Sequence, residues 1–163
     1  MEEFNANNKE MEQLIAVWES KLLAIPEDLL ASRRNNQQRT IKQILGHMVD
    51  SASNNTHRII HLQYQPSPLQ FPDYANLGNN DRWIAIQDYQ SENWHDLVKL
   101  WRYANLHLIH VINHLDNSKL DNEWTTALNW RVTLRDMVLD YLPHFKLHLT
   151  EIDQLLTESI TTN

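Results

Sequence analysis

Residues 40–62 read TIKQILGHMVDSASNNTHRIIHL and carry the clearest helical pattern in the chain. Their apolar side chains recur every three or four positions, which places them on one face of an α-helix. Thr40 is a good N-cap residue, and Gln43 three positions later completes a capping box. Pro66 and Pro68 end the pattern. The stretch therefore predicts one long amphipathic helix with a buried face.

Three further segments show the same periodicity. They cover about residues 8–25, 91–115 and 133–156. Pro26 closes the first of them, and Pro143 interrupts the last. Because proline lacks the backbone N–H and crowds the preceding turn, Pro143 should kink or loosen that helix one turn back.

The connections between these segments differ in length. Residues 66–90 form a long irregular stretch with room for a short helix near 81–88, and such loops are usually functional or cross over the end of a bundle. Residues 116–132 are predicted to be a loop with Trp124 and Trp130 as apolar anchors. Only two glycines occur in 163 residues, too few for the turns of a sandwich, barrel or α/β fold. We predict one all-α domain, residues 1–163, folded as a four-helix bundle with a long crossover between its second and third helices.

Composition narrows the class of protein. The chain has no cysteine, so disulfides and thiol chemistry from its own side chains are excluded. The net charge is −7 and the basic residues are scattered, which argues against nucleic-acid binding. The acidic, polar N-terminus is unlike a signal peptide, and no apolar run reaches the ~20 residues that span a bilayer. We expect a cytoplasmic protein that binds neither nucleic acid nor membrane.

Most of the nine histidines fall outside the predicted buried faces. His107, His110 and His114 lie together on the third segment, away from its apolar stripe. His57 and His61 are an i, i+4 pair on the outer side of the second segment. These five side chains are expected to face solvent.

His144 and His148 differ because they lie at or inside the edge of the apolar stripe of the fourth segment. Two half-buried imidazoles one helical turn apart can chelate a metal ion. Taken alone, the pair is equally compatible with histidines that hydrogen-bond to backbone or water.

A polar seam runs along the second segment beside its apolar stripe. Its members are His47, Ser51, Asn54 and Arg58. Burying such groups costs free energy unless each has a partner. A metal with a small polar ligand would supply partners, and so would the crossover loop or a second subunit.

The stretch from Thr40 to Arg58 resembles the second-helix signature of the DinB/YfiT-like superfamily, in which a histidine is followed three residues later by aspartate. The histidine pair that the family carries in its last helix is matched here by His144 and His148. The similarity extends from the first helix to about Leu156.

This resemblance implies one divalent metal ion per chain, usually zinc or nickel, bound by His47, His144 and His148. It assigns substrate-binding or supporting roles to Asp50, Ser51, Asn54 and Arg58. Asn54 and Arg58 would line the pocket, where Arg58 could pair a substrate carboxylate. Asp50 could orient an imidazole ligand.

Three histidine ligands leave a coordination position open, which suits catalysis better than a structural site. Hydrolysis by an activated water and transfer of a low-molecular-weight thiol both remain open. The YfiT-like branch is similar to bacillithiol transferases, and relatives use mycothiol or glutathione, so the resemblance favours thiol transfer to a small electrophilic substrate. A metal-dependent hydrolase and a non-catalytic stress-related binding protein are the alternatives. The sequence does not indicate which residue would act as the general acid or base.

A homodimer is common in the family, and apolar residues on the first and third helices could support one.

Overall fold

A computed structural model of the protein describes residues 2–157. Within this range the chain forms the helices α1 (Glu2–Leu23), α2 (Glu27–Ser32), α3 (Ile41–Tyr64), α4 (Asn79–Gln87), α5 (Trp94–Ile112) and α6 (Leu134–Thr157). It also forms the short strands β1 (Leu69–Gln70), β2 (Glu123–Thr125) and β3 (Arg131–Thr133). The two ends of the predicted domain, residues 1 and 158–163, lie outside the described range.

The four long helices α1, α3, α5 and α6 form a bundle in which α3 packs against both α5 and α6, and α1 packs against the same two helices. The chain between α3 and α5 crosses the bundle and carries α4, close to the short helix expected near residues 81–88. The predicted four-helix bundle with one long crossover is confirmed. Because α3 and α6 are neighbours, side chains from both can meet.

The start of α3 is closed by the predicted capping box. The side chain of Thr40 accepts the Gln43 N–H, and Gln43 Oε1 accepts the Thr40 N–H at 3.0 Å. The Thr40 hydroxyl also donates to Gln90 Oε1 at 2.7 Å, which ties the end of the crossover to the same point. These bonds fix where α3 begins, six residues before His47.

Large aromatic side chains join α5 to α6. Trp101 is fully buried, and its ring stacks on that of Phe145 with centroids 5.8 Å apart. Aromatic pairs of this kind contribute more than their buried area alone. Phe145 is adjacent to His144, so the same packing positions the histidines of α6.

One helix boundary differs clearly from the sequence-based prediction. Helix α1 begins at Glu2 rather than near residue 8, because Phe4 is buried in the core and holds the first turns against the bundle. Helix α6 runs from Leu134 to Thr157, close to the predicted bounds, and Pro143 lies inside it.

A three-stranded sheet occupies part of the region that was predicted to be loop. β1 pairs in parallel with β2, and β2 pairs antiparallel with β3, so that Leu69 and Val132 flank Trp124. Trp124 is buried as predicted, but the expectation for Trp130 is wrong because its side chain is 65% exposed. Trp130 lies in the turn between β2 and β3, where its carbonyl accepts the Thr126 N–H and its ring points away from the core.

No helix among residues 2–157 is long and apolar enough to cross a membrane.

Candidate metal centre

Three histidine side chains from two helices converge at the α3–α6 contact. The ring centroids of His47 and His148 are 4.6 Å apart, those of His144 and His148 4.5 Å, and those of His47 and His144 5.6 Å. His47 and His148 are buried and His144 is partly buried. Across residues 2–157, this is the one group of three or more potential metal ligands whose donor atoms all lie within 4.8 Å of one another.

Two further side chains orient these imidazoles. Glu151 Oε2 lies 2.8 Å from Nδ1 of His148, and the Tyr74 hydroxyl lies 2.5 Å from Nδ1 of His47. A ring N–H at Nδ1 that donates to these oxygens leaves the lone pair on Nε2. Such outer contacts fix the orientation and tautomer of histidine ligands.

The electrostatic environment keeps the imidazoles neutral. Burial, followed by the neighbouring His148, lowers the pKa of His47 to about 2 and that of His144 to about 4. Burial also lowers the pKa of His148, although Glu151 acts in the opposite direction. Metal ligation requires the neutral imidazole, and at neutral pH all three rings are in that form.

The three rings fit a divalent ion. Nε2 of His144 lies 3.0 Å from Nε2 of His148. Two nitrogens bound tetrahedrally to zinc are about 3.3 Å apart, given a zinc–nitrogen distance of about 2.0–2.1 Å. Small rotations of the two rings would therefore bring these nitrogens to the spacing that a bound zinc ion requires. Imidazole nitrogen suits zinc, nickel and copper, so the donor set does not select among them.

The centre opens onto a cavity of about 430 Å³ between α3, α6, the crossover and the sheet. Ser51 and Arg58 line it, as the polar seam predicted, together with Tyr74 and Trp124. Both Tyr74 and Trp124 come from segments whose position depends on the crossover and the sheet. The open side of the histidine cluster therefore faces a space large enough for a small molecule.

Asp50 does not orient an imidazole, so that expectation is wrong. Its Oδ1 accepts hydrogen bonds from the Tyr89 hydroxyl and from Nε2 of Gln87, both at 2.6 Å. Its Oδ2 has no hydrogen-bond partner among the described residues. Burial raises the pKa of Asp50 to about 6, against the lowering effect of these two hydrogen bonds. Asp50 is one turn from His47 but faces the crossover, where it holds Tyr89 in place.

Asn54 also departs from its expected position. It does not line the cavity, because its Nδ2 donates to the Asp50 carbonyl at 2.9 Å and the side chain is thereby held along α3. Asn55, one residue later, lines the cavity instead. A position shift of one residue turns the side chain by about 100°, which is enough to exchange the two roles.

Four of the remaining histidines are exposed as predicted. His107 and His110 lie on α5, His114 lies just after it, and His57 lies on α3. His61, also expected to face solvent, is only partly exposed. None of them belongs to a cluster of ligand atoms as close as that of the metal centre among residues 2–157.

The overall arrangement of helices matches that of known proteins. YfiT from Bacillus subtilis, described as a probable metal-dependent hydrolase with an unusual four-helix bundle topology, aligns with a TM-score of 0.79. The alignment covers 95% of this chain and 86% of YfiT at 14% sequence identity. This chain has the YfiT-like four-helix-bundle fold. The predicted resemblance is thus confirmed at the level of structure.

A second structural match is the mycothiol-dependent maleylpyruvate isomerase, with a TM-score of 0.72 at 12% identity. A single-histidine mutant of that isomerase gives a TM-score of 0.70 at 11% identity. Both alignments cover 91% of this chain, which spans 60% of the length of the isomerase. No family model and no curated protein sequence matches the chain. The likeness is therefore one of fold.

Replacing Glu151 by alanine is expected to weaken zinc binding by about 10–100-fold, because His148 loses the acceptor that orients its ring. Glu151→Gln keeps an acceptor without the charge and should give an intermediate value. The measurement is a competition titration against a chelator of known affinity. Glu12→Gln, on the exposed face of α1, is the matched control and should bind zinc like the wild type. Unchanged affinity in Glu151→Ala would show that this contact does not support the ligand.

Proposed function

We propose that the protein is a metal-dependent enzyme that transfers a low-molecular-weight thiol to a small electrophilic substrate. The observation that carries this proposal is the convergence of His47, His144 and His148, as neutral imidazoles, on one wall of a cavity. Three protein ligands leave room for an exogenous group, whereas structural zinc sites usually close with four. The mycothiol dependence of one structurally similar isomerase supports a thiol as that group.

The chemistry follows from the donor set. A divalent ion bound by the three imidazoles would act as a Lewis acid and would lower the pKa of a thiol that approaches it. Glu151 and Tyr74 hold the ring nitrogens of His148 and His47 in place. Burial raises the pKa of Tyr74, so its hydroxyl keeps its proton and serves as a hydrogen-bond partner rather than as a base.

Apolar side chains form part of the cavity wall and limit contact with water. They are Trp124, Val132 and Met137. Partial exclusion of water strengthens the interaction of Arg58 with charged groups of a ligand. It also reduces hydrolysis of an electrophilic substrate.

Metal-dependent hydrolysis is the second candidate. The description of YfiT as a probable metal-dependent hydrolase favours it, and the same open position would accept water in place of a thiol. A non-catalytic binding protein is the third possibility and is separated from both by the assay below. The single-domain organisation, the cytoplasmic location and the homodimer stay predictions.

The deciding experiment loads metal-free protein with zinc or nickel and supplies a fluorogenic electrophile, monochlorobimane, with glutathione, cysteine, bacillithiol or mycothiol in turn. At least one thiol should be consumed about 100-fold faster by the loaded protein than by the metal-free protein. His148→Ala should lose this activity, while His110→Ala, on the exposed face of α5, should keep it.

Other results would redirect the assignment. Hydrolysis of ester or amide probes by the loaded protein, with no thiol consumed, would indicate the hydrolase. Metal binding without turnover of any thiol or hydrolytic probe would indicate the binding protein. Equal thiol transfer with and without metal would contradict the proposal.

A further inference from the structure

Arg58 is a buried cation without a matching anion. Its side chain is only 6% exposed, although it borders the cavity. The guanidinium lies over the Trp124 ring, 3.6 Å from its centroid, and Nε has no hydrogen-bond partner. Within residues 2–157 Arg58 makes neither a hydrogen bond nor a salt bridge to another residue. Burial of an unpaired charge is unfavourable, so a site of this kind calls for a ligand.

The anion whose charge acts on Arg58 is already engaged elsewhere. The Asp73 carboxylate accepts hydrogen bonds from the backbone N–H groups of Ala75, Asn76 and Ala127, and from the Asn76 side chain. Burial alone would raise the pKa of Asp73, but these bonds keep it below its usual value. Asp73 therefore supports the loop and does not pair with Arg58.

The other charged groups around the cavity are paired or face solvent. Arg39 forms a salt bridge with Asp81 at 2.6 Å, and Glu151 contacts His148. Asp140 is exposed at the rim, where water screens its charge. Burial lowers the pKa of Arg58 to about 10, which still leaves it protonated at neutral pH. Among the described residues that line the cavity, Arg58 is thus the buried charged group without an oppositely charged partner.

We propose that Arg58 binds a carboxylate at the far end of the ligand whose reactive end lies at the three-histidine cluster. This inference rests on the proposed function of that cluster. A guanidinium stacked on an aromatic ring keeps the donors at its edge available, and a carboxylate accepts two of them in the same plane.

The spacing along α3 sets the length of such a ligand. Arg58 follows His47 by eleven residues, so their Cα atoms are about 16 Å apart. The long Arg58 side chain leans toward the N-terminus of the helix and shortens this span, but it does not close it. The ligand therefore carries its carboxylate several bonds from the reacting atom. Val132 and Met137 line the cavity, which favours an apolar middle.

The test uses mercaptocarboxylates of increasing length as probes, with the matching mercaptoalcohols as neutral controls, titrated calorimetrically into zinc-loaded protein. Mercaptohexanoate should bind about tenfold more tightly than mercaptohexanol, in keeping with a charged hydrogen-bonded pair. Mercaptoacetate should show no such preference over mercaptoethanol, because it is too short to reach Arg58.

The variants identify the residue responsible. Arg58→Gln should abolish the preference for mercaptohexanoate, and Arg58→Lys should restore part of it. Arg131→Gln, an exposed arginine on β3, should keep the full preference. If Arg58→Gln keeps both the fold, judged by circular dichroism, and the preference, the inference is overturned. If Arg58→Gln does not fold, Arg58→Lys is the deciding variant, because lysine cannot form the two-point hydrogen bond to a carboxylate. An unchanged preference of Arg58→Lys for mercaptohexanoate over mercaptohexanol would also overturn the inference.

A metal-free titration separates this inference from the proposed function. His47→Ala protein without metal should still prefer hexanoate to hexanol, and Arg58→Gln in that background should remove the preference. If this preference appears but zinc adds no affinity for any thiol, the thiol-transfer proposal fails while the carboxylate site stands. If zinc strengthens thiol binding and the carboxylate has no effect in any variant, the carboxylate site is wrong and the metal centre stands.

Discussion

Replacing either His47 or His144 by alanine is expected to remove the bound metal from the protein. Untagged wild-type protein should carry close to one zinc or nickel ion per chain, because three neutral imidazoles meet at a single point. Loss of one ring leaves two ligands, too few to hold a labile divalent ion through purification. Elemental analysis of wild type, His47→Ala and His144→Ala measures the outcome.

A thermal melt gives an independent reading of the same change. Metal that binds only the folded state raises the melting temperature, so added zinc should stabilise the wild type and leave His47→Ala unaffected. His107→Ala, from the exposed histidines of α5, is the control and should behave like the wild type in both measurements. If both cluster variants retain the metal, the metal-binding site lies elsewhere in the protein. A wild type that takes up no metal, even from excess zinc or nickel, would mean that the cluster is structural.

Substituting Gly46 by alanine should cost about 2–3 kcal/mol of the free energy of unfolding, although alanine favours the helix by about 1 kcal/mol. An added Cβ would lie 2.2–2.6 Å from three ring atoms of Tyr89. That ring is buried, and its hydroxyl donates to Asp50 at 2.6 Å, so it has little freedom to move aside. Urea denaturation of the wild type and the variant measures the loss.

A double-mutant cycle isolates the clash. In a Tyr89→Ala background, Gly46→Ala should be neutral or stabilising by up to about 1 kcal/mol, since only the helix preference of alanine remains. Gly78→Ala is the matched control: it has open space around it but a positive φ of 72°. It should cost about 1 kcal/mol in both backgrounds. A Gly46→Ala cost that does not change with Tyr89 would show that the ring is not its cause.

The helices were predictable where the pattern and the caps agree. The capping box of Thr40 and Gln43 placed the start of α3 within one residue, because capping depends on atoms three positions apart. The start of α1 was missed since Phe4 is the one large apolar residue between Met1 and Met11, and its burial is decided by the rest of the bundle. The sheet was missed because strands of two or three residues are too short to show alternation.

The family resemblance selected the three histidines in the sequence. Helical spacing placed His144 and His148 one turn apart and His47 in a polar seam, but it left other roles open for them. Of the two side chains that orient the histidines, one could have been predicted from the sequence and the other could not. Glu151 lies three residues after His148, a helical spacing that could have identified it. Tyr74 is 27 residues from His47 and lies in an irregular segment, so no local pattern marks it.

The sequence by itself determined the long helices and the polar seam, because periodicity and capping depend on neighbours within one or two turns. It identified the three histidines as a set only through the family resemblance. Only the tertiary structure decided that Asp50 serves Tyr89 rather than an imidazole, that Asn55 replaces Asn54 at the cavity, and that Trp124 covers Arg58. Each of these outcomes depends on how the crossover and the sheet pack on α3. Such contacts join residues far apart in the chain, and their geometry is set by the packing of the whole bundle rather than by local sequence.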